Sequence, residues 1–192
     1  MKQELVDLQD KDIQSTHDLI GKPVISVTNG QNIASVVDFM IDPEKLDVTA
    51  LVTSKGGLLS RKIEAIRAKE VQVWGMHAVL VKDFDVILKE DELYDREAWM
   101  SIADDIKSRE VVTIDGTRLG TVRDILIDRQ GKMLAYELTK VSKDVQAFEG
   151  KLIPISATQS LGKHILVVDL KKARDQEEPQ NTVDLPGNLE EA

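Results

Sequence analysis

The sequence predicts an all-β protein of two small barrels in tandem, joined by a short helical linker. First, the chain repeats itself: seven positions from Ile20 to Asp42 match seven from Ile106 to Asp128 at a constant spacing of 86 residues. Second, apolar residues within each half alternate with a period of two rather than 3.6. Third, no helical pattern of useful length separates the strands within a half, which argues against a doubly wound α/β sheet.

Each half follows the same order of strand, tight turn and strand, and then adds two further strands. The predicted elements are 23–28, Asn29-Gly30, 33–42, 48–53 and 78–81 in the first half, and 110–114, Asp115-Gly116, 119–128, 133–139 and 165–168 in the second. Asn-Gly and Asp-Gly between alternating apolar runs are the strongest short-range signal of a hairpin. Several short strands separated by turns predict a small barrel.

The repeat divides the chain into five parts. They are an N-terminal arm (1–14), a first barrel (15–88), a linker (89–103), a second barrel (104–170) and an acidic tail (171–192) predicted to be disordered. In the linker, Tyr94, Ala98 and Ile102 recur every four residues, which predicts one short amphipathic helix. Because a barrel of ~70 residues buries only about 60% of its unfolded surface, we expect the two barrels to pack together, with Trp99 in the contact.

Composition excludes several classes of function. The chain has 192 residues, 25 Lys plus Arg and 34 Asp plus Glu, for a net charge of −9, so it lacks the basic excess typical of nucleic-acid binding. With no cysteine, it cannot form disulfides, thiolate nucleophiles or cysteine-ligated zinc sites. No apolar stretch approaches the ~20 residues of a membrane helix, which leaves only peripheral association with a membrane complex open. The N-terminus lacks the apolar run of a secretory signal, and we expect a cytoplasmic protein.

Both halves carry a series of short motifs in the same order. The motifs are Leu19–Val24, Gly30, Val36–Asp42, Ala50–Val52, Gly56–Arg61 and Gly75–Val79 in one half, and Gly116, Leu119-Gly120, Val122, Asp124–Asp128, Ile153–Ile155 and Gly162–His164 in the other. In this order they resemble the PRC-barrel family. The resemblance implies two compact all-β barrels, over residues 17–88 and 104–170, that act as assembly or docking modules without a shared catalytic site. Family members include the photosynthetic reaction centre H subunit and a ribosome maturation factor. The chain lacks the membrane helix of the first and the distinct N-terminal barrel of the second, so neither specific role transfers.

A search for catalytic motifs finds none. The chain has no phosphate-binding loop, dinucleotide fingerprint, His-Glu-x-x-His, EF-hand or Gly-x-Ser-x-Gly sequence. His77 and His164 occupy equivalent positions, but two imidazoles without a third ligand make a poor metal site. We therefore predict no catalytic, cofactor-binding or metal-binding residue, and a protein that is not an enzyme.

Two equivalent aspartates stand on apolar strand faces. Asp38 lies between Val36 and Met40, and Asp124 repeats that position in the second half. A buried carboxylate needs hydrogen-bonding partners, and it acts either as a general acid–base group with a raised pKa or as a structural acceptor. Because both copies carry the aspartate, we favour a structural hydrogen bond to a turn. Gly30 and Gly116 are predicted as structural turn residues for the same reason.

The predicted partner-binding residues lie in two equivalent loops. They are Leu58, Leu59, Arg61 and Lys62 in the first half, and Val145 and Phe148 in the second. Apolar side chains at an exposed tip with charged flanks suit a protein partner. In the alternative interpretation, Leu59 and Phe148 fold back and close the barrel end.

Together these features predict a non-enzymatic tandem barrel that binds another protein. One alternative is a ribosome-assembly or RNA-linked factor, which the charge opposes. The few aromatic residues also do not alternate with Lys or Arg as a base-stacking platform requires. The other alternative is a barrel that binds a small molecule or a metal.

Overall fold

A computed structural model describes residues 13–54, 63–141 and 151–171 of the chain. These residues form three sheets and very little helix, which confirms the predicted all-β fold class. The strands are β1 (Gln14–Ser15), β2 (Pro23–Ser26), β3 (Asn32–Ser35), β4 (Asp38–Asp42), β5 (Asp47–Ser54), β6 (Glu64–Arg67), β7 (Val71–Trp74), β8 (Val79–Val81), β9 (Ile87–Lys89), β10 (Met100–Ser101), β11 (Glu110–Thr113), β12 (Arg118–Ile127), β13 (Met133–Thr139), β14 (Leu152–Pro154), β15 (Thr158–Leu161) and β16 (Ile165–Val168). We call β2 to β9 the first barrel and β11 to β16 the second barrel.

The two barrels share one strand order. The first barrel contributes the sheets β3-β2-β8-β7 and β4-β5-β6-β9, with β10 added on β4, and the second contributes β14-β13-β12-β11-β16-β15, with β1 added on β12. Most neighbours are antiparallel, but β2–β8 and β11–β16 are parallel in the equivalent places. Strand β12 is continuous, whereas its counterpart breaks at Val36-Val37 into β3 and β4. That break divides the first barrel into two sheets.

The repeat register slips by one residue near the start of each barrel. The Gly21 N–H donates to Val36 O at 2.8 Å, and the Ser108 N–H donates to Val122 O at 2.8 Å. The acceptors are 86 residues apart, but the donors are 87 apart. Ile106 is therefore equivalent to the buried Leu19, and the predicted pairing of Ile106 with Ile20 was wrong.

The extra residue lies in a short helix. Helix α1 (Thr16–Leu19) precedes the first barrel, and its counterpart Ile102–Ile106 is a π-helix in which the Lys107 N–H donates to Ile102 O at 2.9 Å. A π-turn holds one more residue than an α-turn, so the insertion is absorbed without shifting the strands. The turns that follow restore the register.

Both predicted glycine turns are present, but they are longer than two-residue hairpins. The Ser26 N–H donates to Gln31 O across residues 27–30, and the Thr113 N–H donates to Thr117 O across residues 114–116, each at 2.9 Å. Gly30 and Gly116 have φ angles of +69° and +85°. Glycine adopts this left-handed region without the steric penalty that other residues meet.

The linker differs from its prediction. Instead of one amphipathic helix over 89–103, it holds two 3₁₀ turns, Glu90–Glu92 and Arg96–Ala98, followed by β10. Trp99 packs against the first barrel, and the Arg67 guanidinium lies 5.5 Å from its ring centre. Tyr94 is 89% exposed and Ala98 is also exposed, so the four-residue spacing does not mark a buried helix face.

One continuous hydrophobic core joins the two barrels. Trp74 of β7 is fully buried and stacks on Phe39 with 6.1 Å between ring centres. It also faces Gly131 in the β12–β13 turn, where an added Cβ would lie 2.6 Å from Trp74 Cε2. Trp74, rather than Trp99, is therefore the tryptophan at the contact between the barrels.

Candidate functional site

The predicted partner-binding loops fall outside the described residues. This applies to Leu58, Leu59, Arg61, Lys62, Val145 and Phe148. The first loop joins β5 to β6 and the second joins β13 to β14, so both leave from equivalent hairpins. Their role in binding a partner stays a prediction.

Each barrel receives a short arm from the segment that precedes the other barrel. The first arm, residues 14–19 (β1 and α1), pairs with β12 of the second barrel. The second arm, residues 100–106 (β10 and the π-helix), pairs with β4 of the first barrel. The register is the same in both, because Ser15 lies opposite Leu126 and Ser101 opposite Met40. The two halves are thus interlocked by a reciprocal exchange.

Asp124 receives the first arm. This residue is 2% exposed, and its carboxylate accepts hydrogen bonds from Ser15 Oγ, from Thr16 Oγ1 at 2.5 Å and from the His17 N–H at 2.9 Å. Lys107 Nζ lies 3.3 Å from Asp124 Oδ1. These donors satisfy the carboxylate that sequence analysis placed on an apolar strand face.

Asp38 receives the second arm in the same way. This residue is 1% exposed, and its carboxylate accepts hydrogen bonds from Ser101 Oγ and, at 3.2 Å, from the Ala103 N–H. The partners belong to the start of a helix from the other half rather than to a local turn. The arms bring Ser15 to Asp124 and Ser101 to Asp38, so each contact joins the two halves of the chain.

Serine, histidine and aspartate lie together around Asp124, but not in the arrangement of a catalytic triad. Ser15 Oγ donates directly to the carboxylate, whereas a nucleophilic serine donates to the imidazole of a base. His17 contributes its backbone N–H, and Ala103 makes the equivalent contact to Asp38 without any imidazole. The geometry is that of a hydrogen-bonded structural carboxylate.

The profile of the PRC-barrel domain matches the chain twice, over residues 11–91 and 100–175. The chain belongs to the PRC-barrel family. A comparison with curated proteins found no match. In this PRC-barrel protein, the first matched segment begins three residues before the first arm and the second begins at the first residue of the second arm, so each family domain includes the arm that docks on the other domain.

The hydrogen bonds of the first arm set the pKa of Asp124. Burial acts to raise this pKa, but the bonds from Ser15, Thr16 and the His17 N–H favour the charged form, and the pKa is lowered from its ordinary value of 3.8. A carboxyl group whose pKa is lower in the folded state stabilises the fold at pH values above its unfolded pKa. This stabilisation is lost as the pH falls through the folded pKa.

We therefore expect a pH-dependent difference between the native protein and Asp124→Asn. The native protein should be the more stable one from neutral pH down to about pH 4, and the difference should shrink at lower pH as Asp124 takes up a proton. Urea unfolding at several pH values measures it. A difference that stays constant down to about pH 2.5 would contradict the assigned pKa shift.

The remaining candidates show no site in the described part of this PRC-barrel protein. His77 and His164 are both exposed, and no group of three or more His, Asp or Glu residues within 13–54, 63–141 and 151–171 is arranged so that it could hold a metal ion. No helix among those residues has the length and apolar character needed to cross a membrane.

Sequence reasoning missed the hydroxyl groups that hold the aspartates. Ser15 and Ser101 are separated by the same 86 residues as Asp38 and Asp124, so the repeat extends upstream of Ile20 and Ile106, where the matched positions began. Extending the comparison of the two halves to residue 15 would have paired these serines. It would not have shown which aspartate each of them contacts.

Sequence reasoning also missed a buried cation, Arg109. Its side chain donates to Gly162 O and lies 3.8 Å from Met100 Sδ, but its Nε has no hydrogen-bonding partner among the described residues. Burial lowers the pKa of Arg109, while Asp105 acts in the opposite direction. A buried guanidinium with an unpaired donor destabilises the fold unless its other contacts compensate.

Proposed function

We propose that this PRC-barrel protein is not an enzyme and binds another protein as an assembly module. The observation that carries the proposal is an exposed apolar side chain at the same turn of each barrel. Val27 is 55% exposed and Ile114, its counterpart, is 56% exposed. Apolar side chains that remain in solvent in both copies of a repeat suit a contact with a partner.

The backbone around these residues supports the same interpretation. The Val27 N–H donates to Val81 O at 2.9 Å, and the Ile114 N–H donates to Val168 O at 3.0 Å. The turn in each barrel is therefore held in a fixed position on the end of a parallel strand pair. A side chain on a fixed backbone loses less entropy on binding than one on a mobile segment.

The first barrel adds an aromatic residue at this end. Thr28 Oγ1 donates to Lys82 O at 2.8 Å, which ties the turn to the segment that leads into Phe84. Phe84 is 67% exposed and follows the charged Lys82 and Asp83. We call Val27 and Phe84 the apolar tip. Aromatic residues with a polar surround are typical of the centres of protein interfaces.

The site geometry favours a binding role over a catalytic one. The buried carboxylates of Asp38 and Asp124 already accept hydrogen bonds from the exchanged arms. A general base needs a free lone pair within reach of the substrate proton. The serine hydroxyls beside them donate to those carboxylates, which leaves no activated nucleophile in this arrangement.

Substitution of the apolar tip tests the proposal. Val27→Ser and Phe84→Ser should each weaken recovery of the native partner from a lysate of the source organism, by about tenfold in affinity for a central interface residue. The melting temperature should stay nearly unchanged, because both side chains are exposed. Tyr94→Ser is the matched control, since Tyr94 is 89% exposed but lies in the linker.

Two results would contradict the proposal. One is equal recovery of the partner by both tip variants and by the Tyr94 variant. The other is a salt-sensitive affinity for RNA that the tip variants do not change, since this would indicate a nucleic-acid partner. Leu58→Ser and Phe148→Ser, assayed alongside, show whether the predicted loops also contribute.

A further inference from the structure

Two clefts of similar volume lie at equivalent places, one on each barrel. The first has a volume of about 580 Å³ and the second about 600 Å³. Met40, Trp99 and Ser101 line the first cleft. Leu126, Ile13 and Ser15 line the second in the corresponding positions.

The linker covers the sheet face at the first cleft. Leu93 is 4% exposed and belongs to one apolar cluster with Met40 and Ala65, which are 8% and 0% exposed. Arg67 holds the same segment through two hydrogen bonds to the Asp95 carboxylate, at 2.9 and 3.1 Å. A segment that precedes an arm thus closes the apolar face on which that arm docks.

The corresponding face of the second barrel is more open. The strand registers make Leu126 equivalent to Met40, and Leu152 equivalent to Ala65. Both leucines are only half-buried. Among the described residues, none takes the place over this face that Leu93 takes over the first.

The described chain enters the second cleft at Ile13. This residue lines the cleft just before β1, as Trp99 lines the first cleft just before β10. Residues 7–13 also repeat residues 92–99 in sequence. The matched pairs are Asp7 with Glu92, Leu8 with Leu93, Asp10 with Asp95, Lys11 with Arg96, Asp12 with Glu97 and Ile13 with Trp99, with Ala98 unmatched.

We propose that residues 7–12, which precede the described part of the chain, bind in the second cleft, with Leu8 over Leu126 and Leu152. The linker shows the binding mode on the other barrel, and the reciprocal exchange of the arms brings residue 13 to the cleft. Pro154 stands where the first barrel has Arg67, so no equivalent of the Asp95 clamp is available from that position. Binding therefore depends mainly on Leu8.

A single spin label tests this proposal, because the chain contains no cysteine. Gln9→Cys is a suitable labelling site, since its counterpart Tyr94 is 89% exposed and a label there should not disturb the docked leucine. On the full-length ¹⁵N-labelled protein, the label should broaden the amide signals of Leu126 and Leu152. Leu8→Asp in the labelled chain should abolish the broadening, and the control Leu5→Asp should leave it unchanged.

Three outcomes would overturn the proposal. The first is an absence of broadening on the second barrel. The second is broadening that persists with Leu8→Asp, because the segment would then lie near the cleft without its leucine bound. The third is broadening when spin-labelled ¹⁴N protein is mixed with unlabelled ¹⁵N protein, because the occupant would then be a second copy. None of these depends on a partner, so the test is independent of the proposed function.

Discussion

Asp124→Ala should lower the free energy of unfolding by about 3 kcal/mol, since it leaves buried donors and a nearby cation without their acceptor. The donors are Ser15 Oγ, Thr16 Oγ1 and the His17 N–H, and Lys107 Nζ lies 3.3 Å away. For a protein of this size, that loss corresponds to a melting temperature lower by roughly 6–12 °C. Asp124→Asn should cost less, because the amide oxygen still accepts one hydrogen bond.

Asp18→Ala is the matched control for this variant. Asp18 lines the same cleft but is exposed, and its substitution by alanine removes the same negative charge. Its substitution should change the stability by no more than about 0.5 kcal/mol, as is usual on the surface. Urea unfolding of the three variants separates the effect of the buried hydrogen bonds from that of the net charge.

The exchange also predicts where the protein should loosen. In Asp124→Ala, amide hydrogen exchange should increase in the first arm, at residues 14–19, which lies 105 or more positions away in sequence. In Asp38→Ala, it should increase in the second arm, at residues 100–106. If each aspartate variant instead loosened the arm that precedes its own barrel, the reciprocal exchange would be disproved.

Much of the fold was readable from local pattern. The alternation of apolar residues, the glycine turns and the aspartates Asp42 and Asp128 at the ends of strands all reflect interactions between residues that are close in sequence. In the structure, Asp42 Oδ1 accepts from the Glu44 N–H and Asp128 Oδ1 from the Gln130 N–H, each at 2.9 Å. Such side-chain contacts to the backbone two residues on are local, so sequence alone can predict them.

The exchange of arms could not be predicted in the same way. Ser15 caps α1 by accepting from the His17 N–H, which is a local signal for a helix start. The helix must still dock on a barrel, and because the two barrels are repeats, each offers a nearly equivalent docking position. Which barrel the helix docks on depends on the path of the chain between Leu19 and β2, and no residue type encodes that path.

The one-residue slip was hidden for a different reason. Ile20 and Ile106 are both isoleucine, so a comparison of letters pairs them. In the structure, Ile20 is 38% exposed whereas Ile106 and Leu19 are fully buried. Leucine and isoleucine are both common core residues, so when two of them are adjacent in the sequence, only the packing shows which one faces the core.

Gly131→Ala should destabilise the protein by about 3 kcal/mol through the contact between the barrels. Gly131 has φ +79°, where an alanine costs roughly 1–2 kcal/mol by itself. Its Cβ would also lie 2.6 Å from Trp74 Cε2 and 2.8 Å from Cζ2, and overpacking of this kind adds about 1–3 kcal/mol. Since Trp74 is buried against Phe39, its ring has little room to move away.

Gly116→Ala isolates the backbone part of this effect. Gly116 has φ +85°, but an added Cβ there meets nothing within 4 Å, so about 1 kcal/mol is expected. The free energies of unfolding of the two variants, measured with denaturant, should therefore differ by about 2 kcal/mol, with the same dependence on denaturant concentration. In a Trp74→Phe background, the smaller ring should bring the effect of Gly131→Ala down to that of Gly116→Ala, a coupling that a double-mutant cycle measures. Equal effects of the two glycine substitutions in the native background would show that Trp74 and Gly131 are not in close contact.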